Sequence, residues 1–406
     1  MSAAPAATPA HNAGALVIIG AGLAGWTTAR EFRKLDTSTP IVLVTADSGD
    51  FYAKPTLSNA CAQKRSADQL VTTPAAKMAE TLNVTLRTRT EVRNIDTQAQ
   101  TLTLNTADGQ SQIQPYGQLV LATGAHPIRL ALQGDASADV QSINQLTDLV
   151  HFQRALGAAP KTVLVMGAGL IGCEFANDLL LGGYRVHVVD PTTRPLAALL
   201  PAAAGEQLRG ALEALGVVWH FGATVQAVNH CAGATPLAAT LSTGAVVGAD
   251  VVLSAIGLRA DTALASAAGM ACERGVAVDA QLQTSAAHVF ALGDCAQYAS
   301  AGARTLPYVM PIMNAARALA ATLSGTPTAL VFPLMPVSIK TPALPTVVAS
   351  PHPAQAGAWV ADALDAGAAQ VGGAWRFMDL AGQQRGFVLT GGQTTRRMEL
   401  AKATVL

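Results

Sequence analysis

The sequence predicts an α/β fold with two similar strand–turn–helix domains and a small C-terminal α/β domain. Two stretches, "ALVIIGAGLAGWTTAREF" from residue 15 and "KTVLVMGAGLIGCEFANDLL" from residue 161, each combine an apolar strand pattern, a GxGxxG turn and a helical pattern. The chain has 406 residues, too many for one ordinary core. The proline-rich stretch "TPTALVFPLMP" precedes a run of short strand patterns, "TVVAS", "GAWRFMDL" and "RGFVLTG".

The glycines of each GxGxxG turn have separate tasks. The first permits a tight turn, the second lets the backbone approach a pyrophosphate, and the third lets the helix pack on the strand. The helix N-terminus then offers free N–H groups to a phosphate. One such turn is a weak signal, but two in the required context predict two Rossmann-like, dinucleotide-binding domains. The predicted cradle residues are Gly20, Ala21, Gly22, Leu23, Ala24 and Gly25, and then Gly167, Gly169, Leu170, Ile171 and Gly172.

An acidic residue should follow each cradle at the end of the second strand, to bind a ribose. In the second unit "YRVHVVD" ends at Asp190. Its carboxylate would repel a 2′-phosphate by about 4 kcal/mol at about 4 Å and an effective dielectric of about 20. NADH is therefore favoured over NADPH, although Arg194 would soften the preference. The first unit has Thr45 at this position and its acid at Asp47, so its ribose contact comes from Asp47 or from backbone groups.

Composition disfavours several other classes of protein. The formal net charge is zero and no basic run is present, which argues against nucleic-acid binding. No uncharged apolar run reaches the roughly 18 residues that a membrane-spanning helix needs. Residues 1–13 lack the pattern of a signal peptide and are expected to be a disordered tail. The histidines lack metal-ligand spacing, and no CxxC pair occurs, so no metal site is predicted and a reducing cytoplasm fits best. The cysteines are Cys61, Cys173, Cys231, Cys272 and Cys295.

Three further motifs accompany the cradles. "LVLATGAHP" at 119–127 and "VVLSAIGLRAD" at 251–261 are strands that end in glycine, and "VFALGDCAQ" at 289–297 carries a Gly-Asp pair. In this order the five motifs resemble the two-dinucleotide-binding-domain flavoprotein reductases, over nearly the whole chain from residue 15. The site residues that these motifs add are Ala122, Thr123, Gly124, Gly257, Gly293 and Asp294.

The resemblance implies FAD in the first cradle and NADH in the second, with the Gly293–Asp294 pair at the FAD ribityl and pyrophosphate region. It also implies that Val92 meets the adenine through its backbone and that Arg129 lies near FAD; a packing or surface role is the alternative for both. The FAD domain would be discontinuous, over 14–122 and 247–328. The NAD domain would cover 123–246 and the C-terminal domain 329–406.

Two observations indicate the branch of the family: the sequence has no cysteine pair that could relay electrons, and four further motifs are typical of one branch. Cys61 and Cys295 have no partner in sequence reach and are expected to be buried fillers, which disfavours disulfide reduction. The motifs "FYAKPTLSN", "LPYVMPIMNAARALAATLSG", "MPVSIKTPALPTVV" and "GFVLTGGQTTRRMEL" resemble the rubredoxin–NAD(+) reductases, FAD enzymes that pass single electrons to rubredoxin. Flavorubredoxin reductases and the ferredoxin reductases of oxygenase systems stay open as alternatives. A flavoprotein that binds NADH as a sensor is the alternative outside enzymes.

Two side chains are expected to tune the flavin. Lys54, followed by Pro55, falls on the loop after the second strand, and Glu174 falls in the first turn of the helix after the second cradle. The resemblance implies a Lys–Glu pair beside flavin N5, where a cation stabilises negative charge on the reduced ring. The alternatives are a lysine that braces a turn and an acid that complements a helix N-terminus by about 0.3–1 kcal/mol.

Two further expectations concern the flavin edge. A helix is expected to begin after Pro311, with the N–H groups of Ile312 and Met313 facing flavin O2. Lys340, in "SIKTPALP", is expected to be exposed and to steer an acidic rubredoxin, or else to be a solvated strand residue. A cytoplasmic monomer or weak dimer is predicted.

Overall fold

The computed structural model describes residues 14–363 and 372–406, and the chain divides into two compact units. The first unit contains the chain up to Tyr52, Val71–His126 and Arg259–Phe332, and the second contains Ala53–Leu70, Pro127–Leu258 and Pro333–Leu406. The predicted tail at 1–13 lies outside the described residues. No helix in the described chain is long and apolar enough to cross a membrane.

The elements are numbered in chain order. The strands are β1 Leu16–Ile19, β2 Ile41–Val44, β3 Val84–Arg87, β4 Glu91–Asp96, β5 Thr101–Asn105, β6 Ser111–Pro115, β7 Gln118–Leu121, β8 Ala125–Pro127, β9 Thr162–Met166, β10 Arg185–Asp190, β11 Val217–Phe221, β12 Val225–His230, β13 Leu237–Leu241, β14 Val246–Ala249, β15 Val251–Ser254, β16 Leu258–Ala260, β17 Val276–Val278, β18 Val289–Ala291, β19 Ala296–Tyr298, β20 Val337–Ile339, β21 Thr346–Ala349, β22 Gly357–Ala361, β23 Ala374–Asp379 and β24 Gln384–Thr390. The α-helices are α1 Leu23–Arg33, α2 Ala75–Leu82, α3 Leu146–Leu156, α4 Leu170–Leu181, α5 Ala202–Leu215, α6 Ala263–Ala267, α7 Val309–Leu323 and α8 Arg397–Ala403. Short 3₁₀ helices cover Lys54–Asn59, Asp68–Leu70, Ser137–Asp139, Gly293–Cys295, Ala299–Ala301 and Gly391–Arg396.

The first unit is built on a five-stranded parallel sheet in the order β18-β7-β1-β2-β3. All four residues of β1 and of β2 are buried, as expected for parallel strands covered on both faces. Helices α1 and α7 pack together, and an antiparallel sheet, β4-β5-β6, completes the unit. The strand order is that of a Rossmann-like domain, so the predicted fold class is confirmed for this cradle.

The second unit repeats the plan and adds the C-terminal region. Its parallel sheet has the order β11-β10-β9-β15, beside the antiparallel sheet β12-β13-β14. The C-terminal region is an antiparallel sheet, β20-β21-β24-β23-β22, followed by α8. The three strands expected there from the sequence are β21, β23 and β24. Prediction missed β20, which has only three residues, and β22, whose residues lie mostly on the surface and so lack a buried alternation.

Two segments do not follow the predicted domain division. Residues 247–258 were expected to belong with the FAD domain, but they group with the second unit, where β15 pairs with β9. Residues 53–70 were expected to belong with the first cradle, but they also group with the second unit. Side chains of α4 hold this segment through hydrogen bonds that are described below. A pattern of apolar residues could not reveal these bonds, because each joins a polar side chain to a partner more than 100 residues away.

Candidate active site

In the first cradle, two positions accept no residue larger than glycine, and a third faces open space where a phosphate could bind. A Cβ on Gly20 would lie 2.3 Å from the carbonyl oxygen of Ala122, and one on Gly25 would lie 1.9 Å from the oxygen of Gly20. The Cβ position of Gly22 faces open space. Helix α1 begins at the next residue, Leu23, without a side-chain cap, so its first N–H groups can receive an anion. This geometry fits the pyrophosphate of FAD.

The second cradle has the same geometry. A Cβ on Gly167 would lie 2.7 Å from the oxygen of Ala255, and one on Gly172 would lie 1.9 Å from the oxygen of Gly167. Gly169 faces open space, and α4 begins at Leu170 without a side-chain cap. The second cradle therefore fits a second dinucleotide.

The Gly-Asp turn after β18 is clamped by a residue that the sequence reasoning missed. The hydroxyl of Tyr298 accepts the N–H of Gly293 at 2.7 Å and donates to its carbonyl oxygen at 3.2 Å. Tyr298 is fully buried, and burial raises the pKa of its phenol, so the hydroxyl stays protonated. Gly293 has φ +81°, and a Cβ there would lie 2.9 Å from that of Ala24. The turn thus abuts α1 of the first cradle, and Asp294 follows it.

The acid of the second cradle also holds the cradle itself. Asp190 accepts the N–H of Ala168 through Oδ2 at 2.6 Å, and the N–H and hydroxyl of Thr192 through Oδ1 at 2.8 and 2.5 Å. A carboxylate can accept about four hydrogen bonds. Because Asp190 already accepts these three, about one further bond is left for a ribose hydroxyl. The buried Nε of Arg194 has no hydrogen-bond partner among the described residues.

The remaining predicted cofactor residues lie in both units. Asp47 is exposed and accepts the hydroxyl of Thr45, the residue after β2, at 2.6 Å. Val92 is buried in β4, whereas Arg129 is exposed. The first unit contains Gly20, Ala21, Gly22, Leu23, Ala24, Gly25, Asp47, Val92, Ala122, Thr123, Gly124, Gly293, Asp294, Ile312 and Met313, and the second contains Lys54, Pro55, Arg129, Gly167, Gly169, Leu170, Ile171, Gly172, Glu174, Asp190, Gly257 and Lys340.

Glu174 lies in the second turn of α4, one turn later than predicted, because the helix begins at Leu170. It is therefore not an acid that complements the helix N-terminus. Its side chain is 3% exposed and ion-pairs through Oε2 with Nζ of Lys340 at 2.6 Å. Oε2 also accepts the Ser58 hydroxyl at 2.8 Å, and Oε1 accepts the Lys340 N–H at 3.0 Å. Both oxygens of this buried carboxylate are therefore satisfied inside the protein.

Lys340 differs from its predicted exposed state. Its side chain is 29% exposed, and its ammonium group also donates to the Ser58 hydroxyl at 2.7 Å and contacts the carbonyl oxygen of Pro55. Lys54 begins the 3₁₀ helix Lys54–Asn59, and its Nζ donates to Oδ1 of Asn144 at 3.3 Å. Prediction from the sequence missed Lys340 as a partner of Glu174, because the two residues are far apart in the chain.

Two more polar side chains follow Glu174 on the same face of α4. Asn177 is fully buried and accepts the N–H of Ala343 at 3.0 Å. Asp178 is 4% exposed, and its two oxygens accept the N–H groups of Cys61 at 2.9 Å and Ala62 at 3.0 Å. Burial raises the pKa of the Asp178 carboxyl to about 6, against the lowering effect of these two bonds. Asn177 and Asp178 follow Glu174 by three and four residues, and this spacing in the sequence indicates that one face of the helix is polar.

Three of the five cysteines are buried in surroundings that disfavour the reactive thiolate. All five are free in the described chain, and Cys61, Cys173 and Cys295 are buried. Burial raises the pKa of each of these three thiols, and nearby carboxylates add to the effect, Asp178 for Cys61. Since the thiolate is the reactive form, the interpretation of Cys61 and Cys295 as buried fillers agrees with the structure.

Helix α7 begins at Val309, three residues before the start that was predicted after Pro311. The N–H groups that a helix leaves unbonded are those of its first turn. Here they belong to Val309 and Met310, since proline has no N–H. Ile312 and Met313 lie in the following turn, where the helix bonds its own N–H groups.

Two dinucleotide cradles with a Gly-Asp turn define an oxidoreductase that uses two nucleotide cofactors. The pyridine nucleotide-disulphide oxidoreductase family matches residues 14–320, and the chain belongs to this family. It is an enzyme that uses FAD and NAD(H), as predicted.

Comparison with relatives indicates which branch of this oxidoreductase family the chain resembles. The rubredoxin binding C-terminal domain family matches residues 329–404. Rubredoxin-NAD(+) reductase of Alcanivorax borkumensis is 44% identical over 387 residues, 95% of this chain and 97% of that protein. The predicted resemblance to the rubredoxin–NAD(+) reductases is confirmed.

Two further matches correspond to the alternatives that the sequence left open. A nitric oxide reductase FlRd-NAD(+) reductase of Aeromonas hydrophila is 40% identical over 344 residues, 85% of this chain and 86% of that protein. A crystal structure of the ferredoxin reductase for the CYP199A2 system from Rhodopseudomonas palustris is similar, with a TM-score of 0.84 and 26% identity over 97% of this chain and 95% of that one.

Proposed function

We propose that the protein is an FAD-dependent NADH:rubredoxin oxidoreductase. The observation that carries the proposal is the rubredoxin binding C-terminal domain at 329–404, joined in one chain to two dinucleotide cradles. The chemistry supplied by bound FAD is the conversion of a hydride from NADH into single electrons for an iron carrier. The buried, protonated thiols support direct use of the flavin without a disulfide relay.

The protein's own residues bind and orient the cofactors. The first cradle would hold FAD, with Tyr298 fixing the Gly293–Asp294 turn, and the second would hold NADH, with Asp190 accepting a ribose hydroxyl. In this proposal 14–122 and 247–328 serve FAD, 123–246 serve NADH and 329–406 serve rubredoxin. Val92 and Arg129 remain predicted contacts of FAD, and Gly257 remains a predicted cofactor contact. For Ile312 and Met313 the predicted contact through their N–H groups disagrees with the start of α7 at Val309.

Lys54 is proposed to act at flavin N5, where its cation would favour the reduced ring. Glu174 is proposed to act with it, and Glu174 also forms an ion pair with Lys340 in the structure. A carboxylate that is shared between two lysines would set the position and the effective charge of both. Replacement of Lys54 by methionine should leave FAD bound and slow its reduction by NADH.

The choice among electron acceptors is tested directly by rates. Steady-state NADH oxidation is measured with purified rubredoxin, with flavorubredoxin and with a [2Fe–2S] ferredoxin at matched concentrations. We expect rubredoxin to give the highest kcat/KM. A higher value with ferredoxin would assign the protein to an oxygenase system, and a higher value with flavorubredoxin would assign it to that carrier.

Anaerobic titration with NADH distinguishes the proposed enzyme from a flavoprotein that only binds NADH as a sensor. An enzyme should bleach rapidly and regain its colour when rubredoxin is added, whereas slow bleaching that rubredoxin does not reverse contradicts the proposal. Five free cysteines support a reducing compartment, so we propose a cytoplasmic location. The proposed oligomeric state, a monomer or weak dimer, is tested by sedimentation.

A further inference from the structure

The polar face of α4, formed by Glu174, Asn177 and Asp178, holds two separate segments of the second unit. It accepts backbone N–H groups from Cys61 and Ala62 on one side, and from Lys340 and Ala343 on the other. Carboxylates and buried amides are rare in protein interiors unless each has partners. Three such residues on one short helix therefore indicate a specific task.

The 54–62 segment is tied to α4 at two levels. Ser58 donates to Glu174, and the consecutive N–H groups of Cys61 and Ala62 donate to Asp178, one helical turn further on. One helical turn rises about 5.4 Å, so the two ties fix both the position and the direction of the segment. Lys54 is at its N-terminal end.

Asp178 is suited to this tie and unsuited to contact with a substrate. Two adjacent N–H groups need two acceptor oxygens, and one carboxylate supplies both. An asparagine would accept only one and would turn its own NH₂ toward the other. The side chain is 4% exposed and both oxygens are engaged, so no reacting group can reach it.

We propose that Asp178 is a positioning residue for flavin reduction, which anchors the 54–62 segment and through it sets the place of Lys54. The inference rests on the role of Lys54 that is proposed above. The segment keeps its other tie, from Ser58 to Glu174, when Asp178 is altered, so the expected defect is misplacement and not loss of the fold. Small misplacements of an orienting group reduce rates strongly.

The test uses the FAD-loaded protein with Asp178→Asn. Hydrogen exchange of the peptide that contains Cys61 and Ala62 should become at least tenfold faster. The kcat for NADH oxidation should fall about tenfold, with the KM for NADH and the FAD content unchanged. The control for the loss of charge alone is Asp96→Asn: the exposed Asp96 accepts the N–H groups of Gln98 at 3.0 Å and Ala99 at 2.8 Å through Oδ1 only, so an asparagine oxygen can keep both bonds. The control should change neither exchange in 54–62 nor kcat.

A double-mutant cycle with Lys54→Met decides whether Asp178 acts through Lys54. If it does, the double variant is no slower than Lys54→Met alone. An additive loss, or a wild-type rate for Asp178→Asn when Lys54→Met is slow, overturns the inference and leaves the role of Lys54 intact. A wild-type rate for Lys54→Met overturns the role of Lys54 itself. If Asp178→Asn cannot be purified with FAD bound, Asp178→Ser replaces it in the cycle, because serine keeps one short hydrogen-bond acceptor.

Discussion

Among single residues, Glu174 is the clearest case of a buried charge that needs a cation. Its carboxylate is 3% exposed and lies 2.6 Å from the ammonium group of Lys340. A buried charge that loses its partner destabilises a protein far more than a lost surface ion pair does. The same contact gives Lys340 a task inside the protein, and its proposed role in docking rubredoxin remains a prediction.

Lys340→Met is therefore expected to lower the free energy of unfolding by about 3 kcal/mol, since it leaves Glu174 charged and buried. The measurement is denaturant unfolding of the FAD-loaded protein. Lys77→Met serves as the control, because the Lys77–Glu80 pair is exposed, and it should have no measurable effect. The double variant Lys340→Met with Glu174→Gln should recover part of the loss; failure to recover any of it contradicts this assignment.

Tyr298→Phe is expected to weaken the hold on FAD. The substitution keeps the ring but leaves the N–H of Gly293 buried without an acceptor, which costs about 1–3 kcal/mol. The dissociation constant for FAD should rise about tenfold or more, with NAD⁺ binding unchanged. This dissociation constant is measured by titrating the apoprotein with FAD and following the flavin fluorescence.

The matched control for this substitution is Tyr116→Phe. The Tyr116 hydroxyl makes only a long bond, 3.4 Å, to the carbonyl oxygen of Asp96 in the same unit. Equal FAD affinity in Tyr298→Phe and Tyr116→Phe would show that the clamp on the Gly-Asp turn has no part in cofactor binding.

At the scale of elements, α4 combines two tasks along its length. Its N-terminus forms the second cradle, and its polar face holds the 54–62 and 340–343 segments. The first cradle's helix, α1, has an apolar or small side chain at most of its buried positions instead. Two helices that begin with the same turn thus differ in what they hold, and the difference lies in residues after the glycines.

Asp178 should make stability depend on pH in a defined direction. Burial raises the pKa of this carboxyl from 3.8 to about 6 in the folded protein, so folding favours its protonated form. Its contribution to stability is fully present below about pH 4 and is lost as the pH rises through about 6. The loss corresponds to about 3 kcal/mol. The wild-type protein should therefore lose stability relative to Asp178→Asn between about pH 4 and about pH 6.5, as measured by thermal unfolding. A constant difference over this range contradicts the prediction.

At the scale of the whole molecule, the two cradles lie in two compact units. A ligand that binds only the folded state stabilises the part that binds it, by about 2.7 kcal/mol at 100 times its dissociation constant. We therefore expect calorimetry to resolve two transitions. NAD⁺ should raise the transition of the second unit, whose cradle would hold it, and added FAD should raise chiefly the transition of the first unit, whose cradle would hold the FAD pyrophosphate. A single transition that both ligands raise equally would contradict independent units.

Much of this architecture could be predicted from local patterns. Apolar runs followed by GxGxxG identify both cradles, because the steric demand for glycine is local: Gly25 and Gly172 lie against backbone only five residues earlier. The strands β21, β23 and β24 were visible for the same reason. Helix starts were less secure, and α7 begins earlier than expected because a proline is tolerated inside a first turn.

Local sequence is sufficient to predict the two nucleotide-binding folds, the order of the motifs and the lack of a CxxC pair, because each of these features involves residues that are neighbours in the chain. Three features became visible only in the folded chain: the ion pair of Glu174 with Lys340, the grouping of 53–70 with the second unit, and the hydrogen bonds of Tyr298 to Gly293. These features depend on which side chains meet after folding. A buried carboxylate accepts any suitably placed donor, and the identity of that donor is fixed by the packing of segments that are distant in the chain.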